Sequence, residues 1–322
     1  MISLDDAAEY LRRADDIVIL SHQFPDGDTF GSAAALCMAL QSMGKRAKTR
    51  CRHAVSAKYA FMFRGVKKQE FEPKTVVAVD VADIDLLGEP IREEYEGRVD
   101  LCIDHHAGNR TFAKYTYVDS TAAATTEIIY ALITKLGAKI TPEIAEAIYT
   151  GITTDTGCFK YTTATPRTYR IAACMMETGI DAAAINREMF DTKTRARLEM
   201  ERRVLDSMNF YLDDRCAVVY ILRDMIAESG ACEDDLEGLA AIPRQIEGVL
   251  VGVTLREKKS GEYKVSLRTQ EPVNAAQICA LFDGGGHACA AGCTLPGPKE
   301  AATERIVAAI GAYLEQQKED GR

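Results

Sequence analysis

Val99-Asp100-Leu101-Cys102-Ile103-Asp104-His105-His106-Ala107-Gly108-Asn109 is the stretch from which the architecture can be read. Val99, Leu101 and Ile103 alternate as in a short buried strand, and the run ends in three side chains able to hold a metal. Open α/β sheets place their chemistry at such strand ends, just before a turn. Taken alone, Asp-His-His is a weak signal, since a histidine pair is more often a hydrogen-bonded structural pair, and its meaning depends on the rest of the chain.

Three other stretches carry similar residues. Ile17–Leu20 predicts a buried strand, followed by His22, Asp26 and Asp28 in a turn set by Pro25 and Gly27. The Ala-rich segment Gly31–Met43 then predicts a helix that stops at Gly44. Pro, Asp and Gly favour turns for local reasons, but turn formation does not call for a histidine and two aspartates at a strand end. Thr75–Val79 is a further apolar run, ending at Asp80. Ser120–Leu136 and Pro142–Thr150 predict helices, the second with Thr141 as N-cap and proline in the first turn. It leads into small and hydroxyl residues that surround Asp155. Thr165–Thr178 and Asp181–Met189 predict two more helices.

In a parallel sheet with right-handed crossovers, strand ends converge on one edge. His22, Asp26, Asp28, Asp80, Asp104, His105, His106 and Asp155 would then share it. Five carboxylates and three imidazoles gathered there repel and lose solvation unless cations lie among them. Mixed imidazole and carboxylate donors suit manganese, iron or zinc. The donors exceed the needs of one ion, and two ions bridged by a carboxylate form a phosphoryl-transfer arrangement.

The 322 residues suffice for two domains, and 47% hydrophobic with 27% charged is an ordinary globular composition. No apolar run approaches the roughly 18–20 residues of a membrane span, and the acidic N-terminus is unlike a signal peptide. Ten cysteines without a CxxC pair point to reduced thiols in a cytoplasmic protein. A net charge of −9 argues against long duplex nucleic acid, which selects basic faces. Thr192–Met208 is charged and helical without a strong apolar stripe, and reads as a connection. From Cys216 onward β-type runs alternate with polar turns, followed by a helix at Val273–Phe282, the sequence DGGGHACAAG at Asp283–Gly292, and a closing helix at Ala301–Gln317. The expected organisation is a catalytic metal-binding domain at 1–190, a helical linker at 191–212 and a substrate-binding domain at 213–322. Gly284, Gly285 and Gly286 read equally as a flexible loop or as backbone N–H groups that approach an anion, to which His287 adds a donor. Arg268, at a strand end, suits bidentate phosphate binding. His287, Cys289 and Cys293 do not have zinc-site spacing, and no second ligand pair is evident.

The series His22-Gln23-Phe24-Pro25-Asp26-Gly27-Asp28 with Gly31-Ser32, then Asp80, then Asp104-His105-His106, then Asp155-Thr156-Gly157, resembles the motif series of the DHH phosphoesterase superfamily. Ser266-Leu267-Arg268 and Gly284-Gly285-Gly286-His287 with Ala290-Ala291-Gly292 resemble its DHHA1 domain. The motifs cover nearly the whole chain in order and are similar to the stand-alone nano-RNase/pAp-phosphatase (NrnA-type) group.

The resemblance implies an α/β fold: an N-terminal domain with a mainly parallel sheet flanked by helices, a smaller C-terminal α/β domain, and the active site in the cleft between them. It implies two divalent ions, by family preference manganese. His22 and Asp26 would hold the first ion and Asp28 the second. Asp80 would bridge, and His105 and Asp155 would complete the second site. Asp104 would orient His105, and His106 would face the scissile phosphate. Arg268, Gly284, Gly285, Gly286 and His287 would bind substrate. The implied activity is hydrolysis of short RNA or DNA oligonucleotides to mononucleotides and of 3′-phosphoadenosine 5′-phosphate (pAp) to AMP. A cyclic-di-AMP or pApA phosphodiesterase, and in another class a non-catalytic nucleotide sensor, are the alternatives. No membrane partner is implied, and a homodimer is compatible with the sequence. One departure is visible: relatives often carry an arginine soon after the second-motif aspartate, and Val81–Gly88 has none.

Overall fold

Strand β1 (Ile17–Leu20) is apolar throughout and buried on both faces, the signature of a sheet covered on both sides. The computed structural model describes residues 1–236 and 238–319, so the expected domain limit at 322 lies outside the described residues. The chain divides into two units, the first Met1–Thr192 and the second starting at Lys193.

The first unit runs α1 (Leu4–Arg13), β1, α2 (Gly27–Ser42), β2 (Ala47–Arg50), β3 (Thr75–Val79), α3 (Ile91–Tyr95), β4 (Leu101–Asp104) and β5 (Tyr115–Val118). It closes with α4 (Thr125–Leu136), α5 (Pro142–Asp155), α6 (Pro166–Glu177) and α7 (Ala182–Asn186). The five strands are parallel in the order β2-β1-β3-β4-β5. Ile17, Ile19, Val77, Val79, Leu101 and Ile103 face a core built with α1, α2, α4 and α5. Val18, Leu20, Val76, Ala78 and Cys102 face the opposite side, against Ile91 and Tyr95 of α3. Burying each such aliphatic side chain contributes about 1.5–3 kcal/mol. The strand order reverses between β1 and β3, and a doubly wound sheet opens a crevice outside its strand ends at that switch.

Several boundaries differ from the sequence expectation. Helix α2 begins at Gly27 rather than Gly31, because the Asp26 carboxylate accepts from the Thr29 amide at 3.0 Å and caps it. Helix α5 continues to Asp155 instead of stopping at Thr150, and α4 starts at Thr125 rather than Ser120. Strand β5 was not foreseen. Helices α2 and α5 pack very closely: a Cβ on Gly31 would lie 2.4 Å from the Ala147 carbonyl oxygen.

The second unit runs α8 (Arg195–Asp206), β6 (Asn209–Tyr211), β7 (Cys216–Ile221), α9 (Arg223–Ser229), α10 (Glu233–Leu236) and β8 (Val251–Glu257). Then come β9 (Glu262–Thr269), α11 (Ala275–Ala280), β10 (Gly285–His287), β11 (Ala290–Pro296) and α12 (Lys299–Glu319). Its strands form a mixed sheet in the order β10-β11-β9-β8-β7-β6, with β7 and β8 parallel. Val253, Leu255, Val265, Leu267 and Leu295 pack on one face against Ile278, Ile306 and Ile310 of the helices. The opposite face is covered at Val219 and Ile221 by Met200 and Val204 of α8 together with Leu239. The helix expected within the 191–212 connection is therefore packed into the second unit, and with so few buried positions it shows only a weak stripe in sequence. The expected glycine loop at Asp283–Gly292 contains a short β10–β11 hairpin.

All ten cysteines are free thiols. Among the described residues, no helix is long and apolar enough to cross a membrane.

Candidate metal centre

The loops after β1, β3 and β4 bring His22, Asp80, His105 and His106 to the carboxyl edge of the sheet, on both sides of the β1/β3 switch. Asp26 and Asp28 come from the cap and first turn of α2. Asp155 comes from the last turn of α5, a helix end rather than a strand end.

Three groups of side chains place ligand atoms within 4.8 Å of one another: His22, Asp26 and Asp80; Asp28, His105 and Asp155; and Asp80, His105 and His106. Asp80 is common to two of them. Its carboxylate lies 3.6 Å from His22 Nε2, 3.8 Å from His105 Nε2 and 3.7 Å from His106 Nδ1. His105 Nε2 also lies 3.4 Å from Asp155. Asp80 has a left-handed backbone, φ +59°, which a non-glycine residue adopts at a cost where the surroundings fix it.

Hydroxyl and amide groups hold these carboxylates. Asp28 accepts from the Thr125 and Thr126 amides at 2.7 and 2.9 Å and from the Thr126 hydroxyl at 2.7 Å. It thus caps α4 from another helix, where the Ala124 side chain cannot. Thr29 and Thr125 donate their hydroxyls to Asp80. Gly151 leaves the space this needs, since a Cβ there would lie 2.4 Å from Thr126 and 3.0 Å from Asp28.

One expectation is corrected. Asp104 does not orient His105 through its ring. Its carboxylate accepts the His105 backbone N–H at 2.8 Å and pairs with His106 Nδ1 at 2.8 Å, while Asn109 Nδ2 donates to its other oxygen at 2.7 Å. The His105 ring is held by the Ala122 carbonyl, 3.2 Å from Nδ1, leaving Nε2 toward the carboxylates. The reason is local: consecutive residues leaving a strand point opposite ways, so the ring two residues on returns to the aspartate's side.

Burial penalises the charged forms of His22, Asp28, Asp80, His106 and Asp155, and the neighbours decide the outcome. Burial pushes Asp28 and Asp155 well above the ordinary carboxylate range, and nearby carboxylates, Asp80 among them, add to the rise. Burial acts the same way on Asp80, but the contact with His22 and the charges of all three imidazoles outweigh it and hold Asp80 below that range. Burial lowers His106, yet the Asp104 contact and the other aspartates raise it to about 9. Burial also lowers His22, where Asp80 and Asp26 win and the net shift is upward. A cluster that must keep protons to remain balanced is one from which divalent ions would release them. The mixed imidazole and carboxylate donors fit such ions.

The loop after β3 lacks its own arginine but receives one from elsewhere: Arg110 donates its backbone N–H to Ala82 and pairs with Asp83 at 3.0 Å. Sequence reading missed Thr29, Thr125, Thr126, Asn109 and Arg110. Thr29, next to Asp28, and Asn109 and Arg110, close behind Asp-His-His, lay beside the motifs, whereas Thr125 and Thr126 did not.

Arg268, His287 and the three glycines lie in the second unit, apart in sequence from the metal-capable groups. Arg268 and His287 both stand opposite Ala290, on the strands flanking it. Gly286 has φ +144°, and a Cβ there would lie 2.5 Å from the Ala290 carbonyl oxygen.

The chain matches the DHH family, N-terminal domain, over residues 16–152 and the DHHA1 domain over residues 213–316. It is 33% identical over 318 residues to a bifunctional oligoribonuclease and PAP phosphatase NrnA of Thermus thermophilus, covering 95% of this chain and 93% of that one. It is 24% identical over 310 residues to the protein of the same description in Bacillus subtilis, covering 94% and 96%. Among solved structures, an exopolyphosphatase-related protein from Bacteroides fragilis superposes with a TM-score of 0.85 at 29% identity, covering 98% of this chain and 96% of that one.

Proposed function

This chain belongs to the DHH family of phosphoesterases and carries a DHHA1 domain, and on that premise we propose that it hydrolyses short oligonucleotides to mononucleotides and pAp to AMP. The observation that carries this reading is that the groups His22, Asp26, Asp80 and Asp28, His105, Asp155 are joined through Asp80, which is grouped with His22 in the first and with His105 of the second.

In this reading His22, Asp26 and Asp80 hold one divalent ion, and Asp28, Asp80, His105 and Asp155 hold another, with manganese the expected metal. Such a pair supplies a water of lowered pKa and neutralises phosphate charge. His105, fixed by the Ala122 carbonyl, keeps Nε2 available as a ligand. His106, with Nδ1 engaged by Asp104, turns Nε2 toward the scissile phosphate and donates a hydrogen bond to it. Arg268, His287 and the amides of Gly284–Gly286 bind a substrate phosphate. One water adds across the P–O bond, its hydroxyl going to phosphorus and its proton to the leaving oxygen. A chain of net charge −9 favours short substrates, because long strands need many cations.

The test is kcat/KM with manganese on pAp, pApA, cyclic di-AMP and RNA from the dimer upward. Hydrolysis of pAp and dimers, lost on chelation and declining steeply beyond the pentamer, is the expected result. Equal rates on dimers and long strands would overturn the short-substrate reading, and a clear preference for cyclic di-AMP would move the assignment to that class.

A further inference from the structure

The second sheet leaves part of one face uncovered. On that face β9 presents Arg268, Ser266 and Lys264, while Leu267 and Val265 turn into the core. The register sets these residues in rows with their neighbours: His287–Ala290–Arg268, then Gly285–Gly292–Ser266, then Thr294–Lys264–Arg256. Alternate residues of a strand are about 6.6 Å apart, so Arg268 and Lys264 stand about 13 Å apart along one face. Each row advances by roughly the step between successive phosphates of an extended single strand. The middle row has glycine on two strands, and a Cβ on Gly285 would meet nothing within 4 Å.

A groove of about 1090 Å³ opens along this face, lined by Gly284, Gly292, Thr294, Lys264, Arg256 and Lys258 among others. Cations outnumber carboxylates five to four along its lining, in a chain whose net charge is −9. Arg256 pairs with Glu233 at 2.5 Å and Lys258 with Glu262 at 3.1 Å. Glu233 is exposed and Glu262 half-buried at the strand end, and ion pairs open to solvent are weak enough for a phosphate to displace them. Lys264 is exposed at the centre of the third row.

The geometry points to a second phosphate subsite: Lys264, with Arg256 beside it, holds a phosphate about two nucleotides along from the one at Arg268, so the groove is a track for the distal part of a single-stranded oligonucleotide. A cationic groove that follows the backbone is how single strands are held without sequence preference. The inference rests on the reading that Arg268 and His287 hold a substrate phosphate. It separates oligonucleotides from pAp, which is too short to reach the third row.

The experiment uses the full chain without metal, so that binding is read without turnover. Anisotropy of end-labelled RNA dimer and pentamer is followed across a salt series for wild type, Lys264→Glu, Lys264→Arg and Arg268→Ala. Lys264→Glu is expected to cut the pentamer-to-dimer affinity ratio by about tenfold and flatten the pentamer's log–log salt slope by about 0.7, the value of one phosphate contact. Lys264→Arg should retain both. An unchanged ratio and slope in Lys264→Glu would overturn the subsite. Arg268→Ala should weaken dimer and pentamer alike; if it weakens neither while Lys264→Glu lowers the ratio, the groove stands and the assignment of Arg268 fails.

Discussion

Asp80 and Arg268 hold charge in opposite ways. Asp80 is 2% exposed and is balanced by three imidazoles and two hydroxyls. Arg268 lies half-buried on an open sheet face, with Nη1 donating to the Leu267 carbonyl of its own strand at 3.0 Å. Removing a member of the first unit's cluster leaves other charges desolvated and unmatched. Removing a cation from the second unit's face admits water, so the loss is confined to whatever the cation was holding. The first site is a cooperative object, and the second is a set of separable contacts.

The largest expected effect therefore belongs to Asp80→Ala. On the proposed reading Asp80 serves both ions, and its loss should lower kcat/KM by at least about a thousandfold, equivalent to several kcal/mol of transition-state stabilisation. Bound metal should fall below the wild-type content. Elemental analysis and kinetics on the folded, purified variant decide it. Full metal with full activity would remove Asp80 from the site and erase the contrast.

A smaller effect is expected from Arg268→Ala, with metal content unchanged. A charge-assisted hydrogen bond contributes about 1.5–3 kcal/mol, which corresponds to a loss of roughly ten- to a hundredfold in kcat/KM. A rise in KM alone would mean that the arginine binds ground and transition states equally, whereas a fall in kcat as well would mean that it positions the phosphorus. Metal loss in this variant would show the two regions to be coupled and would break the comparison.

The same contrast explains what the sequence could disclose. Strand ends are visible as apolar runs stopping at a polar residue, so His22, Asp80 and Asp104-His105-His106 were legible, along with the parallel sheet that gathers them. Asp155 was legible as a residue, though its delivery by a helix end was not, because the small and hydroxyl residues before it do not advertise helix. The threonines were illegible for a different reason. Thr125 and Thr126 act through backbone amides at a helix start, and that start becomes a binding place only once Asp28, far away in sequence, is packed beneath it. The ring that Asp104 orients depends on the direction in which the chain leaves β4, which residue types do not specify. In the second unit the alternation of β9 was legible, but its neighbours were not, since the pairing of Lys264 with Arg256 and Thr294 is a matter of register.

The smallest expected effect concerns how the first site is balanced without metal. Burial lowers His106, but the contact with Asp104 together with the charges of Asp80, Asp104 and Asp155 outweighs it and raises the ring to about 9 from an ordinary 6.5. A histidine whose folded pKa lies above its unfolded value stabilises the fold fully below the unfolded pKa, and that contribution is lost as pH rises through the folded one. In metal-free protein the difference in Tm between wild type and His106→Gln should be largest at or below pH 6.5 and should shrink as pH passes through about 9. The His106 ring should titrate near 9 by NMR, and Asp104→Asn should return it toward 6.5 by removing the partner of the charged form. Added divalent metal should depress the titration, since cations beside the ring oppose its proton. A His106 that titrates near 6.5 in the metal-free wild type would mean that the first cluster is no more strongly coupled than the open face of the second unit.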